Sequence, residues 1–225
     1  MAVKWGILST ANINLKFLAG AREAESVEII AVASRDRDSA RRYAREHSIE
    51  RPYAGYEALL RDPDVEAVYI SLPNALHLPW SVEALEAGKH VLCEKPLARR
   101  TADVERAFDT AQRAGRVLME AFMYRHNPQT RRLVELVEGG AIGRVRMIRA
   151  AFSFVTRTAS DVRLSAALEG GALMDVGCYC VSAARLLAGE PEQLTAQQAL
   201  GGDGGCRRPG GGARRRRPLD WARLR

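Results

Sequence analysis

Residues 67–96 open with Ala67-Val68-Tyr69-Ile70-Ser71-Leu72-Pro73-Asn74-Ala75-Leu76-His77. They continue through a helical run from Leu78 to Ala87, stopped by Gly88, and close with Lys89-His90-Val91-Leu92-Cys93-Glu94-Lys95-Pro96. Two short apolar runs bracketing a helix form a strand–helix–strand unit. Its strands lie parallel, because the helix carries the chain back to the same edge of the sheet. Gly88 is a good C-terminal cap for such a helix.

The same alternation extends in both directions. Val3 to Leu8 reads as a strand followed by a helix from Ala11 to Ala21, and Val27 to Ala33 as a strand followed by a charged helix from Arg37 to His47. Glu57 to Leu60 is a short helix. Thr101, as N-cap, opens a helix to Ala114 that stops at Gly115, and Arg116 to Met119 is the next strand. Six strands separated by helices are expected, five of them located by these runs. The fold class is α/β, a doubly wound parallel sheet of Rossmann type with ligands at the carboxyl ends of its strands.

The pattern changes after Glu120. Asn127-Pro128 starts a helix to about Glu138, and the apolar alternation of Arg144 to Phe154 predicts a strand with one wet face. Gly170-Gly171 leads into a helix ending near Ala188-Gly189, and Gln193 to Leu200 reads as a strand. The expected organisation is residues 1–121 as the Rossmann domain, 122–200 as a partial α+β open-sheet domain, and 201–225 as a disordered Gly/Arg-rich tail. Such a tail cannot bury enough apolar surface to offset its ordering entropy.

The chain has 225 residues, 47% hydrophobic and 27% charged, ordinary values for a globular protein. Its formal charge of +7 is misleading, because residues 201–225 hold eight arginines against Asp203 and Asp220 and leave about +1 for the rest. A basic end is not a patterned nucleic-acid face, and no aromatic stacking platform accompanies the Arg214–Arg217 run. Cys93, Cys178, Cys180 and Cys206 show neither zinc spacing nor a disulfide framework. No signal peptide is read before Val3, and no apolar run approaches the roughly 18 residues of a membrane span. A cytoplasmic protein without membrane or nucleic-acid partners is expected.

Several groups at strand ends carry the chemistry. Against the dinucleotide fingerprint G-x-G-x-x-G/A, the chain places Gly6, Leu8 and Ala11, so the middle glycine is missing. Gly6 makes the tight turn and Ala11 permits close helix–strand packing. Ser9, Thr10 and Asn12 offer donors at a helix N-terminus, where the dipole favours anions. Ser34 and Arg35 follow the second strand where an NAD enzyme commonly holds an acid, and suit a 2′-phosphate; a solvated loop arginine is the bland alternative. Leu72, Pro73, Asn74 and His77 lie on the ligand side of the sheet. Asn74 and His77 are candidate ribose or nicotinamide contacts, and Asn74 equally serves as a helix N-cap. Glu94-Lys95-Pro96 aims an ammonium into the same crevice, the proline holding Lys95 extended. Asp175 and Tyr179, four apart, share a helix face after a glycine pair that permits close backbone approach to cofactor or substrate. A tyrosine near a lysine has its phenol pKa lowered and serves as proton donor and acceptor for a carbinol; a core tyrosine is the alternative. His126 is a weaker candidate for substrate contact.

Glu94-Lys95-Pro96 together with Gly170-Gly171-Ala172-Leu173-Met174-Asp175-Val176-Gly177 resembles the glucose–fructose oxidoreductase/inositol dehydrogenase (Gfo/Idh/MocA) family over roughly residues 3–200. The resemblance implies a Rossmann domain, then an α/β domain whose open sheet often forms a homodimer interface, with Lys95 and Asp175 beside the nicotinamide. Tyr179 stands where the family commonly has histidine, which resembles the branch of NADP-dependent xylose dehydrogenases and dihydrodiol dehydrogenases. Carried over, Tyr179 is the general acid/base, Lys95 lowers its pKa and Asp175 orients a substrate hydroxyl. The implied function is NADP-dependent hydride transfer to or from a sugar or related cyclic alcohol, NAD being the lesser cofactor. A trans-dihydrodiol substrate is one alternative, and a truncated, non-catalytic NADP-binding chain the other. Family members are longer. The Gly/Arg/Pro segment after Leu200 is therefore expected to reflect a shifted reading frame or misplaced gene end, leaving substrate pocket and dimer sheet incomplete.

Overall fold

Six segments of the computed structural model form one parallel sheet. They are β1 (Val3–Leu8), β2 (Val27–Ser34), β3 (Arg51–Ala54), β4 (Ala67–Ile70), β5 (His90–Cys93) and β6 (Leu118–Glu120), in the order β3-β2-β1-β4-β5-β6. The structure describes residues 1–156, 158, 161–200, 206–207 and 217–218. From β1 the chain winds outward through β2 and β3, then returns across the sheet to β4. The order therefore reverses between β1 and β4, and their carboxyl ends flank the crevice where such sheets bind ligands.

Alternation along β1 explains the two-sided core. Ile7 joins Leu18, Val32, Tyr43, Ile49 and Tyr69 on one face, while Leu8 packs with Ile30, Leu59, Val68 and Ile70 on the other. Helices α1 (Asn14–Glu23) and α2 (Arg37–His47) cover the first face through Leu18, Tyr43 and Ala44. The second face is covered by α3 (Tyr56–Leu60), α4 (His77–Glu86) and α5 (Thr101–Ala114), through Leu59, Leu85, Ala107 and Ala111. All four residues of β4 are buried, as a strand covered on both faces requires.

The sixth strand, which the apolar runs do not locate, is β3. It holds Pro52 at an edge of the sheet, where a residue without an N–H is tolerated. Helix α1 starts at Asn14 rather than Ala11, because the fully buried Asn14 amide donates to the Ser9 carbonyl at 3.0 Å and fixes a longer turn first. The N-cap of α5 is Arg100, without a side-chain cap bond, so the expected capping by Thr101 is not made; Thr101 is the first helical residue.

The chain divides into two units, Met1–Ala121 and Phe122–Arg225. In the second, α6 (Pro128–Glu138) is capped by Asn127, whose Oδ1 accepts the Gln129 N–H at 2.9 Å. Residues 144–154 form no strand, contrary to the alternation. A strand exists only through hydrogen bonds to a neighbour, and among the described residues none pairs with this segment. A wide π turn, Leu173–Gly177, precedes α7 (Cys178–Ala188). The helical stretch Ala166–Ala188 has 23 residues and is long and apolar enough, by length and composition alone, to cross a membrane. Glu169 and Gly171 take positive φ within it, at 56° and 114°, and Glu169, Asp175 and Arg185 interrupt its apolar sequence. Strand β7 (Gln197–Leu200) begins later than Gln193 and pairs antiparallel with β8 (Cys206–Arg207) and β9 (Arg217–Pro218). The expected disorder of the tail otherwise falls outside the described residues.

Candidate functional site

Four strand ends of the first unit build one band along the carboxyl edge of the sheet. After β1, Ser9 takes φ 135°, a backbone region that disfavours a side chain, and is held there by hydrogen bonds. Its N–H donates to the Ala33 carbonyl at 3.1 Å, its Oγ accepts from the Ala11 N–H at 3.1 Å and lies 2.7 Å from Ser71 Oγ. Ser71 in turn donates to Asn14 Oδ1. Ser9, Ser71 and Asn14 are all buried. The Ser9 hydroxyl therefore serves the turn itself. The N–H groups of Thr10, Asn12 and Ile13 have no backbone acceptor in the described structure, and α1 starts without a side-chain cap. That leaves the helix N-terminus, with half-buried Thr10 and exposed Asn12 beside it, fitted to an anion.

Gly6 has a different role from the turn expected of it. It lies inside β1, and a Cβ there would sit 2.6 Å from Leu59 Cδ2. Its missing side chain lets α3 pack onto the sheet; the sharp backbone comes three residues later, at Ser9.

At the end of β2, Ser34 is half-buried and Arg35 exposed. Asp36, the nearest acid, is occupied in capping α2: its Oδ2 accepts the Ser39 N–H at 2.7 Å, and bonding to Ser39 holds its carboxyl below the usual range. Arg35 stands beside the Tyr56 hydroxyl, whose pKa burial raises. The strand end thus presents a hydroxyl and a guanidinium, with its acid turned to structural use.

The ends of β4 and β5 are tied together. Tyr69 donates to Glu94 Oε1 at 2.6 Å. His77, 1% exposed, sets Nε2 2.7 Å from the Leu72 carbonyl and Nδ1 2.8 Å from the Pro96 carbonyl. Both ring nitrogens are taken by backbone, which leaves neither for a ribose or nicotinamide. Pro73 and half-buried Asn74 lie in the turn so held. Asn74 does not hold an N-cap position: Pro73 holds it before the short turn Asn74–Leu76 and Leu76 before α4, neither with a side-chain cap bond. Half-buried Lys95 is joined to Pro96 by a cis peptide, and the Leu97 N–H donates to Glu120 Oε1 at 2.7 Å.

In the second unit, Gly170 and Gly171 serve a close approach of the chain to itself. A Cβ on Gly170 would overlap the Arg163 carbonyl oxygen, and the Gly171 N–H donates to that same oxygen at 2.8 Å. Asp175 sits in the wide turn, its N–H on the Gly171 carbonyl at 2.9 Å. Arg163 forks onto Asp161 at 2.9 and 2.6 Å; that pair, with Asp175 nearby, raises the guanidinium pKa. Tyr179 lies in the first turn of α7, half-buried, with ring centroids of Phe122 at 5.5 Å, Phe152 at 5.6 Å and Tyr124 at 6.0 Å.

Asn14, Tyr69, Ser71 and Arg163 escaped the sequence reading. Asn14 had one signal: it stands four residues before Leu18, on the helix face that the core buries.

Residues 3–122 match the GFO/IDH/MocA oxidoreductase family with its NAD-binding Rossmann fold, and residues 130–208 match the GFO/IDH/MocA C-terminal domain. The chain is 47% identical over 193 residues to D-xylose 1-dehydrogenase (NADP(+)) 2 of Haloferax volcanii, covering 85% of this chain and 59% of that protein. It is 37% identical to trans-1,2-dihydrobenzene-1,2-diol dehydrogenase of Xenopus laevis, covering 89% and 62%. The crystal structure of KijD10, a 3-ketoreductase from Actinomadura kijaniata in complex with NADP and TDP-benzene, superposes with a TM-score of 0.80 at 39% identity, over 84% of this chain and 58% of that one. The chain thus spans about three-fifths of the length of the relatives it matches. On its two domain matches and its sheet order, the chain belongs to the GFO/IDH/MocA oxidoreductase family.

Proposed function

We propose that this chain binds NADP and serves hydride transfer between the nicotinamide and a carbinol carbon of a sugar or related cyclic alcohol. The observation that carries the cofactor choice is the end of β2. Half-buried Ser34 and exposed Arg35 stand there, a hydroxyl and a guanidinium suited to a ribose 2′-phosphate, and Asp36 is committed to capping α2. Relatives whose names include NADP support the same choice. The residues fit the dinucleotide: Thr10, Ala11, Asn12 and the uncapped α1 N-terminus would hold its phosphates, and Leu72, Pro73, Asn74, Glu94 and Lys95 would line its nicotinamide half. When bound, the nicotinamide supplies a hydride acceptor or donor, and the protein supplies orientation and proton transfer.

In this reading Tyr179 takes the hydroxyl proton during oxidation, Lys95 lowers the phenol pKa, and Asp175 orients the substrate hydroxyl. A cytoplasmic setting belongs to the reading and agrees with free thiols at Cys93 and Cys180. The aromatic side chains around Tyr179 favour a second substrate class, a cyclic trans-diol, for which the dihydrodiol dehydrogenase relative argues as well.

A fluorescence titration of the 225-residue protein with NADPH and with NADH tests the cofactor, followed by a panel of D-xylose, other aldoses and trans-dihydrodiols. Saturable NADPH binding well ahead of NADH is expected. Preference for NADH would overturn the Ser34–Arg35 assignment, and NADPH binding without turnover on any member would leave a nucleotide-binding chain only.

A further inference from the structure

His77 lies between two acceptors. Its partners are the carbonyls of Leu72 and Pro96, at 2.7 and 2.8 Å, and a carbonyl never donates. A neutral imidazole has a single N–H. In either neutral tautomer one ring nitrogen would point its lone pair at a carbonyl oxygen inside a site 1% exposed, a repulsion that no water relieves. Only the imidazolium donates to both.

We propose that His77 is a positioning residue that clamps the β4–α4 turn to the Lys95–Pro96 turn, and that the clamp is complete only when both ring nitrogens carry protons. Its consequence for catalysis rests on the preceding reading, in which these turns line the nicotinamide half of the site. Through the Leu72 carbonyl the ring holds Pro73 and Asn74. Through the Pro96 carbonyl it holds the peptide that carries Lys95.

Opposed forces set the proton's affinity. Burial disfavours the charged ring and dominates, pulling the pKa below its usual value; the two carbonyl bonds and the Glu94 carboxylate act upward, and the Lys95 ammonium downward. Nearby, burial raises the Cys93 thiol pKa and keeps it neutral, while the Glu120 carboxylate is bonded to the Leu97 N–H. The clamp therefore closes as pH falls, and one of its two contacts opens as the proton leaves.

The test is nitrogen NMR of the histidine rings in the ¹⁵N-labelled full chain, from pH 8 to pH 5 without nucleotide, with His77→Gln to assign the signals. His77 is the one buried histidine of the four, so slow exchange of its ring protons identifies it even if the variant fails to fold. The expected result is one bare nitrogen and one N–H at high pH, giving way to two slowly exchanging N–H signals at low pH. A bare nitrogen at every pH at which the chain stays folded would overturn the proposal. A second arm measures NADPH affinity over the same range: it should tighten by up to about tenfold per pH unit through the titration, and His77→Gln should abolish that slope. An affinity slope unchanged in His77→Gln would sever the clamp from the cofactor site. Failure to bind NADPH at any pH counts against the preceding reading instead, and leaves the spectrum to decide the clamp.

Discussion

Ser71 donates its hydroxyl proton to Asn14 Oδ1, and this bond sets the direction of the network beneath the β1–α1 turn. The reasoning starts from the Ser9 carbonyl, which only accepts. The Asn14 Nδ2 must face it, at 3.0 Å, so Oδ1 faces Ser71 and Ser71 must donate. The proton between the two serine oxygens then belongs to Ser9, and Ser9 Oγ accepts from the Ala11 N–H. Every polar atom in this buried set is used. That explains how a serine keeps a backbone geometry that glycine usually takes.

Ser71→Ala should therefore destabilise the fold by about 1–3 kcal/mol, because it strands the Asn14 carbonyl oxygen in the core. It should also weaken NADPH binding while leaving the nucleotide preference unchanged. Denaturant melts and a fluorescence titration check both effects. Normal NADPH affinity in a destabilised variant would mean that the turn is held by its backbone alone.

Gly6→Ala should cost about 1–3 kcal/mol, since the new methyl meets Leu59 Cδ2 at 2.6 Å on the buried face between β1 and α3. Leu59→Ala costs stability by itself, yet in the double variant the two losses should add to less than their sum, because the smaller side chain vacates the methyl's place. Strict additivity in urea melts would show that the clash is relieved elsewhere.

What the sequence makes legible is what repeats locally. The order of strand and helix, the α2 boundaries and the Asn127 cap follow from periodicity and capping chemistry within a few residues. What it hides is which distant atom approaches a given residue. Gly6 and Gly170 stand out as glycines, but only the fold reveals Leu59 above one and the Arg163 carbonyl above the other. β3 is short, carries Pro52 and lacks an apolar run, so pairing alone defines it. Residues 144–154 show the converse: alternation with no pairing neighbour among the described residues makes no strand. His77 was legible as a ligand-side residue, while its two carbonyl partners, 5 and 19 residues away, were not.

Acid should loosen the far edge of the sheet through Asp62. Burial alone would raise this carboxyl, but the Asp64 N–H, the Tyr53 hydroxyl and Arg51 outweigh it and hold the pKa below the usual carboxylate value. The folded pKa lies below the unfolded one, so the stabilisation is full above about pH 4 and is lost as pH falls through the folded value. Asp62→Asn should be less stable than the parent at pH 7 and lose less on acidification. Parallel stability curves from pH 7 to pH 3 would remove Asp62 from the acid response.

Tyr179→Phe separates chemistry from packing. The phenyl ring keeps its neighbours Phe122 at 5.5 Å and Phe152 at 5.6 Å, so the melting temperature should fall less than in Tyr179→Ala. With a substrate from the panel, kcat should fall by about 10²- to 10⁴-fold, the contribution of a positioned general acid/base, while NADPH affinity stays near the parent value. Tyr179→Ala should in addition destabilise the second unit, because it empties the centre of the aromatic cluster. Equal losses of turnover and NADPH affinity in Tyr179→Phe would make the hydroxyl a structural group, and unchanged turnover would move the proton-transfer role to another residue.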